Sequence, residues 1–424
     1  MHYVVVGNSI AGIEAAIALR TREADAKITV VSYEHDHPFS RVSLMYLFCG
    51  QLSLRDTEFY DRDLYGRMRF TRVRDRVTAV RWKNHTLQLA SGGSLAYDRL
   101  LLAVGSVARR LDWPGAYDQP GVHHFVTLPD LHGLDAAARP GMRVAVIGGG
   151  LIGVEVAEVL HARGCKVHFL IREPWYFPVA LDRQESEVVA AHIRAHGVDC
   201  RTNAVVEGAA RRGGESALRL PNEELPVDLV VGAIGVVPNT RFLEGSGIAL
   251  SAEGAIETRD NLESTTAPDV FAAGDCANVT WPDGARRPEQ IWYTARDQGR
   301  LVARAMLGDE VRYRRGTWYN SAKFFDIEYT TAGFIPVSAL PGNWQTWYQQ
   351  VPGQTVTQRI VCKDGRVVGF NGLGSRWDHQ VWMRWIHERR PLDWVLHNMN
   401  HARFDEEFTP PFRVLPTATL ADGA

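Results

Sequence analysis

The fold of this 424-residue chain is decided by the stretch Val144-Ala145-Val146-Ile147-Gly148-Gly149-Gly150-Leu151-Ile152-Gly153-Val154-Glu155. A short apolar, β-branched run ends in glycines, and a helical pattern follows at once. The G-x-G-x-x-G spacing of Gly148, Gly150 and Gly153 allows a tight turn, close approach of a pyrophosphate to the backbone, and close packing of the helix on the strand. The first helical N–H groups, at Leu151 and Ile152, then face the anion. The motif predicts a dinucleotide site in the middle of the chain.

Length and composition exclude several classes of protein. A chain of this length predicts about two to four domains. Forty-seven basic and forty-nine acidic residues give a formal charge of −2, so no bulk charge favours nucleic acid or an acidic membrane. Five scattered cysteines without a C-x-x-C pair argue against a disulfide scaffold or a zinc ribbon. No apolar run approaches a membrane span, and a strand pattern begins almost at residue 1, so we expect no signal peptide and a cytoplasmic location.

A second fingerprint lies at the start of the chain. Residues 2–6 predict a buried strand that runs into Gly7-Asn8-Ser9-Ile10-Ala11-Gly12, and an Ala-rich helix follows. Ser9 stands at the middle glycine position, where serine is the smallest tolerable change. Glu34 follows the next strand and is the candidate acceptor for a ribose hydroxyl pair, the alternative being a solvated loop acid.

Further motifs resemble those of a known family. Residues 38–48 are similar to the segment after the second strand in FAD-dependent pyridine-nucleotide oxidoreductases. Residues 97–106, with Gly105, resemble the strand that closes the first FAD half. Residues 231–239, with Gly235, resemble the strand that closes the NAD(P) domain. Residues 258–275 resemble the last FAD motif, in which Asp275 follows Gly274 and would bind the ribityl chain. The chain is most similar to rubredoxin and ferredoxin reductases and to the flavin module of NADH-dependent nitrite reductases.

The resemblance implies an α/β fold with two doubly wound, Rossmann-like domains and a C-terminal α+β domain. The FAD domain would comprise residues 1–112 and 242–315, interrupted by an NAD(P) domain at 113–241. Residues 316–424 would form an interface or partner domain. There the pattern predicts strands within 318–334 and 355–370, a hairpin turn at 363–366, and helices over 377–401 broken at Pro391. The tail from Thr409 is expected to be extended or disordered.

Three residues are candidates for catalysis. Glu155 completes the family pattern G-x-G-x-x-G-x-E, which implies a place near the flavin and the nicotinamide. The helix dipole would also favour an acid on the first helical turn, where we expect Glu155. Tyr46 stands where ferredoxin reductases have a lysine that reaches the flavin, so the usual Glu–Lys pair is not expected. Trp292 is a candidate for a flavin-edge or acceptor-side contact, or a core residue.

Other cofactor contacts follow from the resemblance. Arg41 could contact the FAD pyrophosphate or the adenine side, or form a surface ion pair. The segment from Glu289 opens a helix whose N-terminus would face the flavin pyrimidine edge, with Gln290 and Ile291 in contact.

The choice of coenzyme stays open in the sequence. An acid at the end of the strand 166–170 would favour NAD, and an arginine would favour the 2′-phosphate of NADP. The usual acidic position is Ile171, followed by Arg172 and then Glu173. NADH is slightly favoured by the nitrite-reductase likeness, with NADPH nearly as well supported.

No redox-active cysteine is expected beside the flavin. Branches of the family that use one place it at the position of Val42, and the C-x4-C pair of disulfide reductases is also missing. Cys49 is expected to be a buried core thiol. Cys276 could approach the flavin, but a packing role is favoured. Electrons should therefore leave FAD directly.

The C-terminal third is rich in Trp and His. His397 and His401 are spaced i,i+4 and could form half a metal site, but no acid at ligand spacing completes it. No metal is therefore predicted, and an aromatic packing or partner-binding face is favoured. Both a homodimer and a docking site for an electron-transfer protein are compatible with this face.

The resemblance implies an enzyme that passes a hydride from NAD(P)H to FAD and electrons on to a rubredoxin or ferredoxin. One alternative is an NADH oxidase or quinone reductase with a small-molecule acceptor. Another is an NADH-sensing flavoprotein that acts through partner binding.

Overall fold

The computed structural model describes residues 1–117, 121–212, 215–336, 342–407 and 409–423. The chain divides into two compact units, each assembled from separate segments. The first unit comprises Met1–Arg109, Val126–His132 and Val236–Arg315, and the second comprises Arg110–Phe125, Gly133–Gly235 and Gly316–Ala424.

Strands and helices alternate through the first half of the chain, with short hairpins inserted. Its elements are β1 (His2–Val6), α1 (Ile10–Arg22), β2 (Lys27–Ser32), α2 (Leu44–Phe48), α3 (Leu64–Arg67), β3 (Thr71–Arg74), β4 (Val77–Arg81), β5 (Thr86–Leu89), β6 (Ser94–Ala96), β7 (Arg99–Leu102), β8 (Ser106–Ala108), β9 (Val122–His123), α4 (Leu128–Ala137), β10 (Arg143–Ile147), α5 (Leu151–Ala162), β11 (Lys166–Leu170), α6 (Arg183–Ala195), β12 (Asp199–Arg201), β13 (Gly208–Arg212), β14 (Glu215–Leu220), β15 (Glu223–Val227) and β16 (Leu229–Gly232).

The second half is richer in antiparallel strands. Its elements are β17 (Val236–Pro238), β18 (Ile256–Glu257), β19 (Val270–Ala272), β20 (Ala277–Thr280), β21 (Arg286–Pro288), α7 (Trp292–Met306), β22 (Tyr319–Phe324), β23 (Ile327–Gly333), β24 (Trp344–Gln350), β25 (Thr357–Lys363), β26 (Arg366–Leu373), α8 (His379–His387), α9 (Leu392–Asn398) and β27 (Thr419–Asp422).

Each unit contains a five-stranded parallel sheet. The order is β19-β7-β1-β2-β3 in the first unit and β12-β11-β10-β16-β9 in the second. Central residues such as Val4, Leu101 and Val146 are fully buried, as parallel strands covered on both faces require. The strand order reverses between β1 and β7, and again between β10 and β16. Nucleotides bind at such reversal points, beyond the carboxyl ends of the strands.

The second unit also contains a six-stranded antiparallel sheet, in the order β22-β23-β26-β25-β24-β27. Helix α8 covers it, and the rings of Phe370 and Trp382 stack with centroids 3.7 Å apart. Trp382 and Trp385 are almost fully buried, so these aromatic residues serve packing. The α/β class with a C-terminal α+β region is thus confirmed.

Several details of the C-terminal region differ from the sequence analysis. Strand β24 was not predicted. The tail, expected to be extended or disordered, ends in the extended strand β27, which pairs with β24 at the edge of the sheet. The break at Pro391 is confirmed, since α9 begins at Leu392. His397 lies in α9 whereas His401 lies in a following 3₁₀ turn, and both are exposed, so they do not share one helical face.

Among the described residues, no helix has both the length and the apolar character needed to cross a membrane.

Candidate nucleotide and electron-transfer site

The first fingerprint forms a turn that admits only glycine at two positions. Gly7 has a φ of 109°, and a Cβ there would lie 2.0 Å from the carbonyl oxygen of Ala103. A Cβ at Gly12 would lie 2.0 Å from the carbonyl oxygen of Gly7. Ser9 is the N-cap of α1, but its side chain makes no capping bond, and the first turn carries no acid. The N–H groups from Ile10 onward are therefore directed at a site suited to a pyrophosphate.

Helix α7 packs closely against α1 next to this turn. A Cβ at Gly299 would lie 2.3 Å from the carbonyl oxygen of Ala11, so the two backbones touch. The backbone N–H of Gly274 donates to Gln298 Oε1 at 2.8 Å. The turn that carries Asp275 is thereby fixed to α7, and through it to α1.

Asp275 is half-buried beside the same turn. Its carboxylate accepts a hydrogen bond of 2.6 Å from the Ser106 hydroxyl. Burial raises the pKa of Asp275, and the bond from Ser106 opposes that rise. Gly105 and Gly274 adopt positive φ values of 67° and 76°. These values allow the chain to turn where it leaves β7 and β19, at the carboxyl edge of the sheet.

The segment before α7 differs from its prediction. The helix begins at Trp292 with Ile291 as N-cap, so Glu289 and Gln290 precede it. Gln290 is exposed, whereas Glu289 is buried and accepts from the Tyr313 hydroxyl at 2.7 Å and from Arg315. Trp292 is half-buried and lies edge-to-face with Phe59, 6.2 Å between centroids.

Glu34 and Arg41 are already bonded to each other. Arg41 Nη1 donates to Glu34 at 3.0 Å, and the backbone N–H of Leu128 donates to the same carboxylate at 2.8 Å. Burial acts to raise the pKa of Glu34, but the bonds and charge of Arg41 outweigh it, so the pKa is lowered overall. Glu34 therefore stays ionised and keeps only hydrogen-bond acceptors, which suits the predicted contact with ribose hydroxyls.

The predicted cysteine environment is corrected at one position. Cys49 is exposed rather than buried in the core, because it is the C-cap that follows α2, whereas Phe48 before it is buried. Val42 is 62% exposed and Tyr46 is half-buried. Cys276 is fully buried, and burial raises the pKa of its thiol to about 11, which fits packing rather than redox chemistry.

The central fingerprint repeats the geometry of the first. Gly148 has a φ of 117°, and a Cβ there would lie 2.3 Å from the carbonyl oxygen of Ala233. A Cβ at Gly153 would lie 2.0 Å from the carbonyl oxygen of Gly148. Gly150 is the N-cap of α5, faces open space, and is followed by a first turn without an acid. Gly235 closes the neighbouring strand turn with a φ of 102°. This end of the sheet fits a second dinucleotide.

Glu155 is the fifth residue of α5, not part of its first turn, which corrects the expectation that the helix dipole explains it. Burial, and then the charge of Glu158, raise the pKa of Glu155 to about 7. Lys323 opposes the rise and bonds Glu158 at 2.7 Å. A carboxylate pair with one shared cation thus lies one turn beyond the fingerprint.

The end of β11 explains part of the coenzyme ambiguity. Ile171 is fully buried, and a Cβ at Gly149 would lie 2.9 Å from its side chain. Arg172 is 78% exposed and pairs with Glu173 at 3.1 Å. The two residues that could select between coenzymes therefore neutralise each other.

These two fingerprints agree with a match to a known family. A family model described as pyridine nucleotide-disulphide oxidoreductase matches residues 1–299. The chain belongs to the pyridine nucleotide-disulphide oxidoreductase family.

Relatives with known names match most of the chain. The biphenyl dioxygenase system ferredoxin–NAD(+) reductase component of Paraburkholderia xenovorans (strain LB400) is 31% identical over 316 residues, 72% of this chain and 75% of that protein. The NADH-dependent phenylglyoxylate dehydrogenase subunit epsilon of Aromatoleum evansii is 28% identical over 398 residues, 92% of each chain. A crystal structure of the covalent putidaredoxin reductase–putidaredoxin complex has the same fold, with a TM-score of 0.80, 23% identity, and coverage of 92% of this chain and 94% of that one.

The sequence analysis did not single out three residues that bond groups of the candidate site, namely Glu158, Lys323 and Gln298. Glu158 could have been found, because it lies three residues after Glu155 on the same helix. Lys323 and Gln298 carry no local signal, since each is far along the chain from the group that it bonds.

Proposed function

We propose that this protein is an FAD-dependent NADH reductase that passes electrons to a ferredoxin- or rubredoxin-type protein. The observation that carries the proposal is the pair of glycine turns, each at the reversal point of its own parallel sheet. One turn suits FAD and the other suits NADH, because two dinucleotides need two such sites. The ferredoxin reductase relative supports this pairing.

In this proposal residues 1–112 and 242–315 form the FAD-binding domain, 113–241 the coenzyme-binding domain and 316–424 the interface domain. The N–H groups after Ser9 hold the FAD pyrophosphate, Glu34 the adenosine ribose and Asp275 the ribityl chain. Gln290 and Ile291 contact the flavin edge. When bound, FAD accepts a hydride and releases electrons singly.

The coenzyme site uses the central turn for the pyrophosphate of NADH. Glu155 stabilises positive charge that develops on the nicotinamide as the hydride leaves, provided that its carboxylate is ionised. Lys323 favours that ionised form because it lowers the pKa of Glu155. Lys323 thus acts as a positioning residue that tunes the carboxylate pair.

NADH is the proposed coenzyme because the carboxylate of Glu173 already pairs with the guanidinium of Arg172. A 2′-phosphate would have to displace this carboxylate from the guanidinium and would be repelled by it. A 2′-hydroxyl can instead donate to Glu173. The NAD(+)-linked relative is consistent with this choice.

The proposed acceptor takes electrons directly from the flavin. Val42 stands at the position of the redox cysteine, and the thiol of Cys276 is buried with a raised pKa. We place the protein in the cytoplasm, where NADH is available and thiols stay reduced.

A second candidate acceptor is a permanently bound partner subunit. It is favoured by the relative that is named as a subunit of an NADH-dependent dehydrogenase and matches 92% of this chain. Purification from its native source at low salt, followed by mass measurement, distinguishes a stable complex from a free chain.

The test of the function is anaerobic rapid mixing of the FAD-loaded protein with NADH, followed by an acceptor. We expect fast bleaching of the flavin and rapid reoxidation by a [2Fe–2S] ferredoxin or a rubredoxin. Oxygen and a soluble quinone serve as comparison acceptors. The proposed acceptor would be contradicted if oxygen or the quinone reoxidised the flavin faster than every ferredoxin and rubredoxin tested. A long-lived reduced complex with all of them would favour a sensing role.

A further inference from the structure

A cluster of two imidazoles and a carboxylate lies in the second unit, outside the nucleotide turns. His192 lies in the last turn of α6, and His196 is the C-cap that follows Ala195. Their ring centroids are 4.5 Å apart. Asp326 lies in the turn between β22 and β23. Its Oδ1 is hydrogen-bonded to His192 Nε2 and lies 3.6 Å from His196 Nε2. One ligand atom of each residue lies within 4.8 Å of the other two.

One separation within the cluster is close to that of a tetrahedral metal site. With metal–ligand bonds of about 2.1 Å, neighbouring ligand atoms of a tetrahedral Zn²⁺ lie about 3.4 Å apart. The separation of His196 Nε2 from Asp326 Oδ1 is already near that value. The backbone N–H of His196, the C-cap of α6, donates to the carbonyl oxygen of His192 at 3.2 Å, which fixes the separation of their Cα atoms.

The surroundings of His196 fit a ligand. Its Nδ1 lies 3.0 Å from the backbone carbonyl oxygen of His192, so an Nδ1–H donates there and leaves the lone pair of Nε2 directed at the cluster. Histidines that bind metals are held in this way, with the second ring nitrogen bonded to a carbonyl or carboxylate. The ring of Phe325 packs on His196 with centroids 5.1 Å apart and restricts its rotation.

We propose that His192, His196 and Asp326 bind one divalent transition-metal ion of the zinc class, with water in the fourth position. Two imidazoles and one carboxylate favour Zn²⁺ or Co²⁺ over Mg²⁺ and Ca²⁺, which prefer oxygen ligands. The ion replaces the direct contact between His192 and Asp326. It joins α6 to the hairpin that carries Lys323 three residues before Asp326, and so stabilises the second unit.

The test uses the FAD-loaded protein prepared without a histidine tag and stripped with a chelator. Calorimetric titration with ZnCl₂ is expected to give one equivalent, and thermal unfolding is expected to shift upward with Zn²⁺. His196→Asn and Asp326→Asn should each weaken zinc binding by at least about tenfold, since even loss of a supporting group costs about 10- to 100-fold. His397→Asn is the matched control, because that exposed histidine belongs to no such cluster.

Co²⁺ titration supplies a readout that does not depend on stability. We expect the visible bands of a four-coordinate cobalt ion in the unaltered protein and in His397→Asn, and their loss in His196→Asn. Zinc binding of unchanged strength in both cluster variants would overturn the proposal. So would the absence of a one-equivalent site, which would leave His192 and Asp326 as an ion pair only.

Discussion

Glu155 and Glu158 lie on successive turns of α5, and their two carboxylates share one nearby lysine. Burial and mutual repulsion raise the pKa of Glu155 to about 7, and Lys323 limits the rise. Glu155 is therefore poised to change its charge near neutral pH. Because oxidised nicotinamide is a cation, the ionised carboxylate should favour hydride loss.

Reduction of the flavin by NADH should accelerate as pH rises through about 7 and then level off. Lys323→Met removes the charge that lowers the pKa of Glu155, so the bend should move up by about one pH unit. Glu155→Gln should abolish the bend and slow reduction by about tenfold, equivalent to about 1.4 kcal/mol. Rapid-mixing reduction rates over pH 5.5–9 (about half a unit apart) measure the effect.

Glu187→Gln on α6 is the control for a change of net charge, since this residue is 69% exposed and pairs with Arg194. A bend that stays at the same pH in Lys323→Met would contradict the role given to Lys323. An unchanged reduction rate in Glu155→Gln would contradict the role given to Glu155.

We expect coenzyme preference also to depend on single residues. Glu173→Gln keeps the size of the side chain but releases the guanidinium of Arg172 from its ion pair. The ratio of kcat/KM for NADPH to that for NADH should rise about tenfold, because a charged hydrogen bond contributes about 1.5–3 kcal/mol. Steady-state kinetics with both coenzymes measure the ratio. An unchanged ratio in Glu173→Gln, with the same ratio in the double variant Glu173→Gln/Arg172→Ala, would show that neither residue contacts the coenzyme.

At the scale of elements, α6 and β25 are joined by a buried ion pair. Arg359 on β25 is 2% exposed and lies 3.1 Å from Glu185 and 3.2 Å from Asp182, the N-cap of α6. Asn371 on β26 donates to Glu185 at 3.2 Å. The stability of the second unit therefore depends on this ion pair, because removing one partner would leave a buried charge without a counter-charge.

Arg359→Met should lower the free energy of unfolding by about 3–5 kcal/mol at pH 7.5, because Glu185 is left buried without its cation. Burial already raises the pKa of Glu185 to about 7, and Arg359 opposes that rise. Without Arg359 the folded-state pKa rises further, so the loss of stability should shrink as pH falls towards 5 and Glu185 takes up a proton. Urea denaturation at both pH values measures it.

Arg359→Met/Glu185→Gln is the matched double variant. It should recover most of the lost stability at pH 7.5, because no charge is left buried. Equal destabilisation in the single and the double variant would mean that packing of the arginine stem, rather than charge, holds the two elements together.

At the scale of the whole molecule, each compact unit carries one glycine turn, and the proposed redox centre is the flavin alone. The described cysteines form no disulfide. Reductive titration with dithionite under argon should therefore consume two electrons per FAD. A cysteine-based relay would raise this to four. Four electrons per FAD, or a thiolate-to-flavin charge-transfer band on the way, would contradict direct transfer.

Much of the fold could be predicted from the sequence, because it rests on local sterics. A Cβ at Gly12 would clash with the carbonyl oxygen of Gly7, and one at Gly153 with that of Gly148. Each clash joins residues only five positions apart, so the motif itself specifies the turn. Strand β24 could not be predicted, because its mixture of Trp, Gln, Thr and Tyr shows no clear strand pattern by itself. Its strand conformation depends on pairing with β25 and β27. The exposure of Cys49 likewise depends on where the short helix α2 ends.

The sequence by itself determined two dinucleotide turns, the parallel sheets behind them and the lack of a cysteine at Val42. Only the tertiary structure decided that Lys323 reaches Glu158, that Arg359 pairs with Glu185, and that Asp326 joins His192 and His196. The physical reason is the range of the interactions. A glycine turn is fixed by backbone contacts between near neighbours, whereas these charges meet across more than 130 residues, as His192 and Asp326 do. Their pairing depends on how sheets and helices pack, and no local pattern encodes it.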